Sequence, residues 1–464
     1  MEDSSPSVIQ YRAILLKKHK VPWRGRLYPG LQWLCGRPLG TYLRRLHEWE
    51  QLPRAEFEQL HAERLRTILE YAHAHVPLYR SPGWSSALSN GDAGSIDHWP
   101  LLGKETLRAH FEDLRAQPPP RRVLTRRTSG TTGSPTKVAM TPSSDTWGWA
   151  HRYRGLLWHG IPIGVPSLRL SHDRRVLRDL VKGEQCLPSL DSPQAIDQAI
   201  SYLTEKRPVL VAGPPSTLFL LARHLRERGV TEPLAEFARV GGEQLFRFQR
   251  NEIESFLCAR VINSYGSTET GALAGECPAG SLHVYADHVH LEIFNGDSPA
   301  ADGEVGEIVV TSLRNTAMPL VRYPVGDRGR LSRDACRCGL PQPVLTDLQA
   351  RSRDMVYGAD GGPRHASELA ERLDVFFADP VADGVRQVRF HQQDTLTWEV
   401  WMDVADSFLN AKSGQCTRQA VEHRLAGLVR ETLGAGCDVT VHIADEMPRG
   451  RGKFRYFRLA KEAA

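Results

Sequence analysis

The chain has 464 residues, more than one compact core accommodates, so two or more packing units are expected. Its 41% hydrophobic and 24% charged content excludes wholesale disorder, and a net charge of +5 is too small to indicate nucleic-acid binding. No run of roughly 18 apolar residues occurs, which excludes a membrane-spanning helix. The N-terminus begins acidic, and Ala13-Ile14-Leu15-Leu16 is too short for the core of a secretion signal. Eight cysteines in such a chain suit free thiols in a reducing cytoplasm better than a disulfide framework.

Taken in chain order, Leu65, Ile68, Leu69 and Ala72 fall at i, i+3, i+4 and i+7 and predict an amphipathic helix over 57–75. Pro118-Pro119-Pro120 breaks the pattern, and Val123-Leu124 starts a short strand feeding a Thr/Ser/Gly loop. Val209-Leu210-Val211-Ala212 reads as a buried strand. Pro214-Pro215-Ser216 then opens a helix with Leu218, Leu221 and Leu225 on one face. That order predicts α/β layers around a largely parallel sheet. Ile308-Val309-Val310 and Val321-Arg322-Tyr323 read as later strands. Beyond about residue 350 the texture changes. Strands at Gln387–Phe390 and Trp398–Trp401, a helix over 417–433 stopped by Gly434, and a final strand at Val439–Ile443 form a β-β-α-β unit. The expected fold is therefore α/β, with a large N-terminal domain of layered sheets and helices over 1–349. A hinge at 350–354 and a small α+β C-terminal domain over 355–464 complete it.

The most specific local segment is Thr128-Ser129-Gly130-Thr131-Thr132-Gly133-Ser134-Pro135-Thr136-Lys137. Its glycines let backbone approach a ligand, its hydroxyls donate to phosphate oxygens, and Lys137 adds a positive charge. It lacks the spacing of a Walker loop, and a polar surface loop is the competing reading when it is taken on its own. Four further segments follow: Val240-Gly241-Gly242-Glu243, Ser264-Tyr265-Gly266-Ser267-Thr268-Glu269, Arg322-Tyr323-Pro324-Val325-Gly326-Asp327, and Pro448-Arg449-Gly450-Arg451-Gly452-Lys453. The second alone reads also as a strand-end turn, and Lys453 alone as a solvated charge.

In this order the segments resemble the motifs of the adenylate-forming (acyl/aryl-CoA ligase, AMP-binding) superfamily. Tyr71-Ala72-His73-Ala74-His75-Val76-Pro77-Leu78-Tyr79-Arg80 resembles the early signature of its phenylacetate–coenzyme A ligase-like branch. The resemblance implies that Thr128, Ser129, Gly130, Thr131, Thr132, Gly133 and Lys137 grip the phosphates of ATP. Gly241, Gly242, Glu243, Tyr265 and Gly266 would flank the nucleotide, and Asp327 and Arg351 would bind its ribose. Thr268 would contact the α-phosphate, Glu269 would hold Mg2+, and Lys453 would bridge substrate carboxylate and α-phosphate. The chain departs from the family at Ala350, commonly Gly, and at the hinge residue Arg353, commonly Asp or Lys.

Cys277, His283, Cys336 and Cys338 make a Cys3His set suited to structural Zn2+, and in the branch this resembles a zinc-binding pair of loops. Free loop thiols are the competing reading. Cys35, Cys186, Cys258, Cys416 and Cys437 show no paired spacing and read as core thiols. His288 and His290 read as packing or surface residues.

The implied reaction is adenylation of a carboxylic acid with release of pyrophosphate, then transfer to a thiol. After the first step the small domain would rotate about 350–354, withdrawing Lys453. Coenzyme A is the expected acceptor. The phosphopantetheine of a carrier protein or an amine is the alternative, and a catalytically silent nucleotide-binding relative is a third reading. No nucleic-acid or membrane partner is implied, and the resemblance leaves a homodimer open. The acid's pocket is expected between about residues 145 and 245 and around Tyr265–Ala272. There Trp147, Trp149, Tyr153 and Trp158 suit either an aromatic acid or helix core.

Overall fold

The structure is a computed structural model. It describes residues 21–84, 92–127, 135–171, 176–188, 190, 192–349, 355–405, 408, 417–444, 454 and 456–459. Thr128 to Gly133, the hinge with Ala350, Arg351 and Arg353, Cys416 and Lys453 therefore lie outside the described residues.

The described residues begin with helices α1 (Trp23–Leu34), α2 (Leu39–Glu50) and α3 (Arg54–His75), followed later by the short α4 (Lys104–Ala109). The buried residues of α3 are Phe57, Ile68, Leu69 and Ala72; of the expected stripe only Leu65 is partly rather than fully buried. Past its end, the Tyr79 hydroxyl donates to the Pro319 carbonyl at 2.9 Å, fastening this region to a distant loop. A hairpin follows, β1 (Leu124–Arg127) with β2 (Lys137–Met140), and then the long helix α5 (Pro142–Trp158). Thr141 caps α5, accepting from the Ser144 amide at 3.0 Å, with Pro142 in the first turn.

Strands and helices then alternate: β3 (Ser167–Leu170), α6 (Val176–Lys182), β4 (Glu184–Leu187), α7 (Pro193–Lys206), β5 (Leu210–Gly213), α8 (Pro215–Glu227), β6 (Ala235–Gly241), α9 (Arg247–Phe256) and β7 (Cys258–Ser267). Each helix carries the chain back across the sheet, so these strands pair in parallel. From β7 onward short loops replace helices. β8 (Gly271–Glu276), β9 (Leu282–Val284), β10 (Val289–Asn295), β11 (Ser298–Pro299), β12 (Gly306–Ser312), β13 (Tyr323–Ser332) and β14 (Val344–Gln349) pair antiparallel. All twelve strands share one sheet, in the order β11-β10-β12-β13-β14-β9-β8-β7-β6-β5-β3-β4.

Three expectations change here. The sheet is mixed rather than largely parallel, because the connections shorten after β7. Val321 and Arg322 precede β13 instead of starting it, and Arg322 takes a left-handed φ of 48°. That turn buries its guanidinium against Glu292 at 2.7 Å and the Trp99 carbonyl at 2.8 Å. Cys35 is exposed at the end of α1 rather than in the core, whereas Cys186, Cys258 and Cys437 are buried.

The smaller C-terminal domain holds the hairpin β15 (Met355–Tyr357) and β16 (Pro363–His365), α10 (Ala366–Ala378), β17 (Val385–Gln392), β18 (Thr397–Val404), α11 (Arg418–Leu433), β19 (Asp438–Ile443) and β20 (Phe457–Leu459). Its four-stranded sheet runs β19-β18-β17-β20, so Val439–Ile443 is an edge strand and not the last one. The domain docks on α8 and α9. Phe377 stacks on Phe248 at 4.7 Å, and Gln249 donates to the Tyr456 hydroxyl at 2.9 Å. No helix among the described residues is long and apolar enough to cross a membrane.

Candidate active site and thiol–imidazole cluster

Thr268, Glu269 and Thr270 form the turn of the β7–β8 hairpin, closed by the Ser267–Gly271 pair. The Thr270 amide donates to the Ser267 hydroxyl at 3.0 Å, and Gly271 takes a φ of +84° that a side chain would strain. This geometry leaves Thr268 exposed and Glu269 partly buried, 3.5 Å from the Tyr323 hydroxyl. Among the described residues no basic side chain forms an ion pair with Glu269, so its carboxylate is available to a cation. A motif and an ordinary strand-end turn are here the same object.

Gly241, Gly242, Glu243, Tyr265 and Gly266 lie at the C-terminal ends of the parallel strands β6 and β7, where open α/β sheets place their ligands. Gly241 pairs with Ser264, and a Cβ there would lie 2.7 Å from the Ser264 carbonyl. A Cβ on Gly266 would lie 2.5 Å from the Gly271 carbonyl. Both glycines thus satisfy strand packing before any ligand is considered. Gly242, at φ +88°, turns the chain so that Glu243 accepts from the Ser216 hydroxyl at 2.6 Å and its amide at 3.3 Å. That contact places a negative charge at the N-terminus of α8. From β7 the Tyr265 hydroxyl donates to Asp327 Oδ2 at 2.8 Å, joining two motifs that lie far apart in sequence. Lys137 is exposed at the start of β2, opposite Arg127, where the expected phosphate loop rejoins the hairpin.

Beside the Thr268–Thr270 turn lies a recess of about 330 Å³, its mouth included. Gly271 and Ala272 form one wall, Arg126 and Met140 of the hairpin a second, and one face of α5 a third. Of the four aromatics expected near the acid, only Trp149 lines it. Trp147 is core, stacked on Tyr42 at 3.9 Å and Trp49 at 5.6 Å, and Tyr153 and Trp158 are buried. The recess also contains groups that no sequence motif marks: Arg126, Asp145, Gly148, Arg152 and His288. Asp145 is taken up by Arg126 and by Arg37, the latter at 3.0 Å.

At the far end of β8, Cys277, His283, Cys336 and Cys338 come together, with all four ligand atoms within 4.8 Å of one another. Cys277 and Cys336 sulfurs are 4.0 Å apart, and Cys338 Sγ lies 3.2 Å from His283 Nε2. Zinc bonded at about 2.0–2.3 Å in a tetrahedron separates its ligands by roughly 3.3–3.8 Å, so shifts of about 1 Å or less would bring these atoms to that spacing. His283 Nδ1 is 2.9 Å from the Gln342 carbonyl, which can only accept, so Nδ1 carries the proton and Nε2 faces the sulfurs. The Leu340 amide points at Cys338 Sγ at 3.5 Å, as for a thiolate acceptor. Trp158, Tyr285 and Leu340 enclose the cluster. His288 is buried, and neither it nor His290 joins these ligands.

No family model matches the chain. It is 27% identical to the phenylacetate-coenzyme A ligase of Thermus thermophilus, over 87% of this chain and 96% of that one. It is 26% identical to the Escherichia coli enzyme of the same name, over 86% and 93%. Among solved structures, 2-hydroxyisobutyryl-CoA ligase in its postadenylation state superposes with a TM-score of 0.72 at 19% identity, covering 89% of this chain and 92% of that one. The same ligase in its thioesterification state gives 0.58, with 89% and 91% covered at 19% identity. The large domain with its docked α+β domain agrees with these near full-length likenesses. Over nearly its whole length the chain is similar to phenylacetate-coenzyme A ligases, and it shares the fold of an acyl-coenzyme A ligase of known structure.

Proposed function

We propose that the protein activates a carboxylic acid with ATP, releases pyrophosphate, and passes the acyl group to the thiol of coenzyme A. One observation carries the reading. The Tyr265–Asp327 pair, Glu243 and the Thr268–Glu269 turn gather at the ends of β6 and β7, beside a recess open to solvent. Relatives named as coenzyme A ligases over nearly their whole length support the thiol acceptor.

In this reading Asp327 and Arg351 receive the ribose, and Gly241, Gly242, Glu243, Tyr265 and Gly266 border the nucleotide. Thr128 to Gly133 and Lys137 hold the departing phosphates. Glu269 offers a hard carboxylate for Mg2+, which when bound neutralises phosphate charge. Thr268 donates to the α-phosphate. The acid's carboxylate oxygen attacks the α-phosphorus, the bond to the bridging oxygen breaks, and pyrophosphate leaves. Lys453 stabilises the negative charge gathered at that step. The thiol sulfur then attacks the acyl carbon, its proton passes to solvent, and AMP leaves. We assign 1–349 to the large domain, 350–354 to a hinge and 355–464 to the small domain, whose rotation separates the two steps. The Cys277, His283, Cys336 and Cys338 set holds a structural Zn2+ that clamps the β8–β9 loop to the loop before β14.

The test is magnesium-dependent pyrophosphate release across a broad acid panel, with and without coenzyme A. Release with a subset of acids, and acyl-coenzyme A formed from the same subset, is the expected result. No release with any acid would overturn the adenylation reading. Release without coenzyme A transfer would move the acceptor to a carrier protein or an amine.

A further inference from the structure

Helix α5 contains two glycines with opposite surroundings. A Cβ on Gly155 would sit 2.8 Å from the Tyr285 hydroxyl, so that glycine is explained by close packing. A Cβ on Gly148 would meet nothing within 4 Å, and Gly148 lines the recess beside Thr270 and Gly271. Its backbone is ordinary helix, so neither conformation nor packing accounts for a residue that weakens a helix interior. What it leaves is room.

One turn on, Arg152 faces the same room. Residues 145, 148, 149 and 152 follow helical spacing and form one wall of the recess. The Arg152 guanidinium lies 4.9 Å from the Trp149 ring centroid, held over its face. Among the described residues no carboxylate forms an ion pair with it; Asp145 acts on it only through space, and its two oxygens pair with Arg126 and Arg37. Burial, then the neighbouring Arg239 and Arg126, pull Arg152 down to about 10, still charged at neutral pH. His288, 2% exposed, also lines the recess, and its Nδ1 has no hydrogen-bond partner among the described residues. A partly buried cation crowded by like charges, and a buried imidazole lacking a partner, are costly unless a ligand completes them.

We infer that the recess takes the acyl portion of the acid, and that Arg152 selects a small carboxylic acid carrying a second carboxylate at its far end. The inference rests on the adenylation reading, because it places the reacting carboxylate at the Thr268–Thr270 turn. Planar guanidinium on an indole face presents a fork that matches a carboxylate, and His288 supplies a further contact. Gly148 keeps the space between the two ends open.

The experiment compares succinate, glutarate and adipate with their monoamides, which keep size and the reacting carboxylate but remove the distal charge. Pyrophosphate release gives kcat/KM, and calorimetric titration in the presence of a non-hydrolysable ATP analogue gives binding without chemistry. At least one diacid should exceed its monoamide by roughly tenfold or more, since a buried cation left unpaired discriminates strongly. Arg152→Met should bring that ratio to about 1 by raising KM for the diacid, without lowering the melting temperature. Gly148→Leu should weaken every acid in the panel, again with no loss of melting temperature. A monoamide equal to or better than its diacid, or Arg152→Met lowering both alike, overturns the inference. Release confined to acids without a second charge overturns it while leaving adenylation intact. If no acid supports release, the adenylation reading fails, and the titrated diacid-to-monoamide ratio still decides whether the recess selects a distal carboxylate.

Discussion

Helix α5 and strand β8 run side by side between two sites built on opposite principles. At one end Gly148, Arg152, Gly271 and His288 border an open recess with surplus positive charge. At the other, Trp158 and Cys277 border a closed cluster in which three sulfurs and one imidazole face each other. Midway, Gly155 and Gly275 leave room for the Tyr285 hydroxyl, which a Cβ on either glycine would meet, so the two elements pack closely around it. The recess is left electrostatically incomplete and waits for a ligand. The cluster's donors match a resident cation. A site that binds and releases substrate must tolerate an unfilled state, whereas a structural site is stable only when filled.

The largest effect should come from the closed end. Cys338→Ser, or removal of metal by a strong chelator, should lower stability by on the order of 5 kcal/mol or more. The purified parent protein should contain about one zinc per chain by elemental analysis. A metal-free chain with an unchanged melt would erase the contrast between the two ends. Next in size is the chemistry. Lys453→Ala should slow adenylation by roughly 10²–10³-fold while thiol still consumes a preformed acyl-adenylate. Equal loss in both steps would contradict the role given to that lysine.

Acid should weaken the protein more gradually. Burial pushes His288 down to about 4 and His290 to about 3, with His61 next to His290 adding to the burial effect. Burial, then Arg386, likewise brings His224 to about 4. These imidazoles are neutral when folded and take up protons on unfolding below about pH 6.5. The unfolded state therefore binds more protons between about pH 6.5 and 4, and stability falls as pH drops through that window. Each contributes up to about 1.4 kcal/mol per pH unit, and denaturant melts at stepped pH measure the slope. His288→Asn should remove the share that belongs to the recess; an unchanged slope would show that its proton affinity is ordinary. The smallest effect separates the two glycines of α5. Gly148→Ala should stabilise by up to about 1 kcal/mol. Gly155→Ala should destabilise by about 1–3 kcal/mol through overpacking against Tyr285. Matching signs in thermal melts would remove the packing distinction drawn between them.

Much of the molecule is legible in its residues alone. The periodicity of Leu65, Ile68 and Leu69 specifies α3, and the strand–proline–helix order around Pro214 specifies β5 and α8, because local burial patterns encode single elements. The motif residues are legible as types, since phosphate, magnesium and zinc each demand particular donors. Three matters are not. The mixed sheet depends on connection lengths after β7, which fix strand direction only once the strands have paired. The Tyr265–Asp327 contact joins strands far apart in sequence, as does the approach of Cys277 to Cys336. Nor can composition separate Trp147, stacked in the core, from Trp149, which lies two residues on and lines the recess. Sequence by itself determined which chemistry the chain can perform, through residue types at fixed spacings. Tertiary structure alone decided which charges find partners. Among the described residues it left Arg152 without a carboxylate and gathered three thiols and an imidazole into one site, because pairing depends on distances that folding sets.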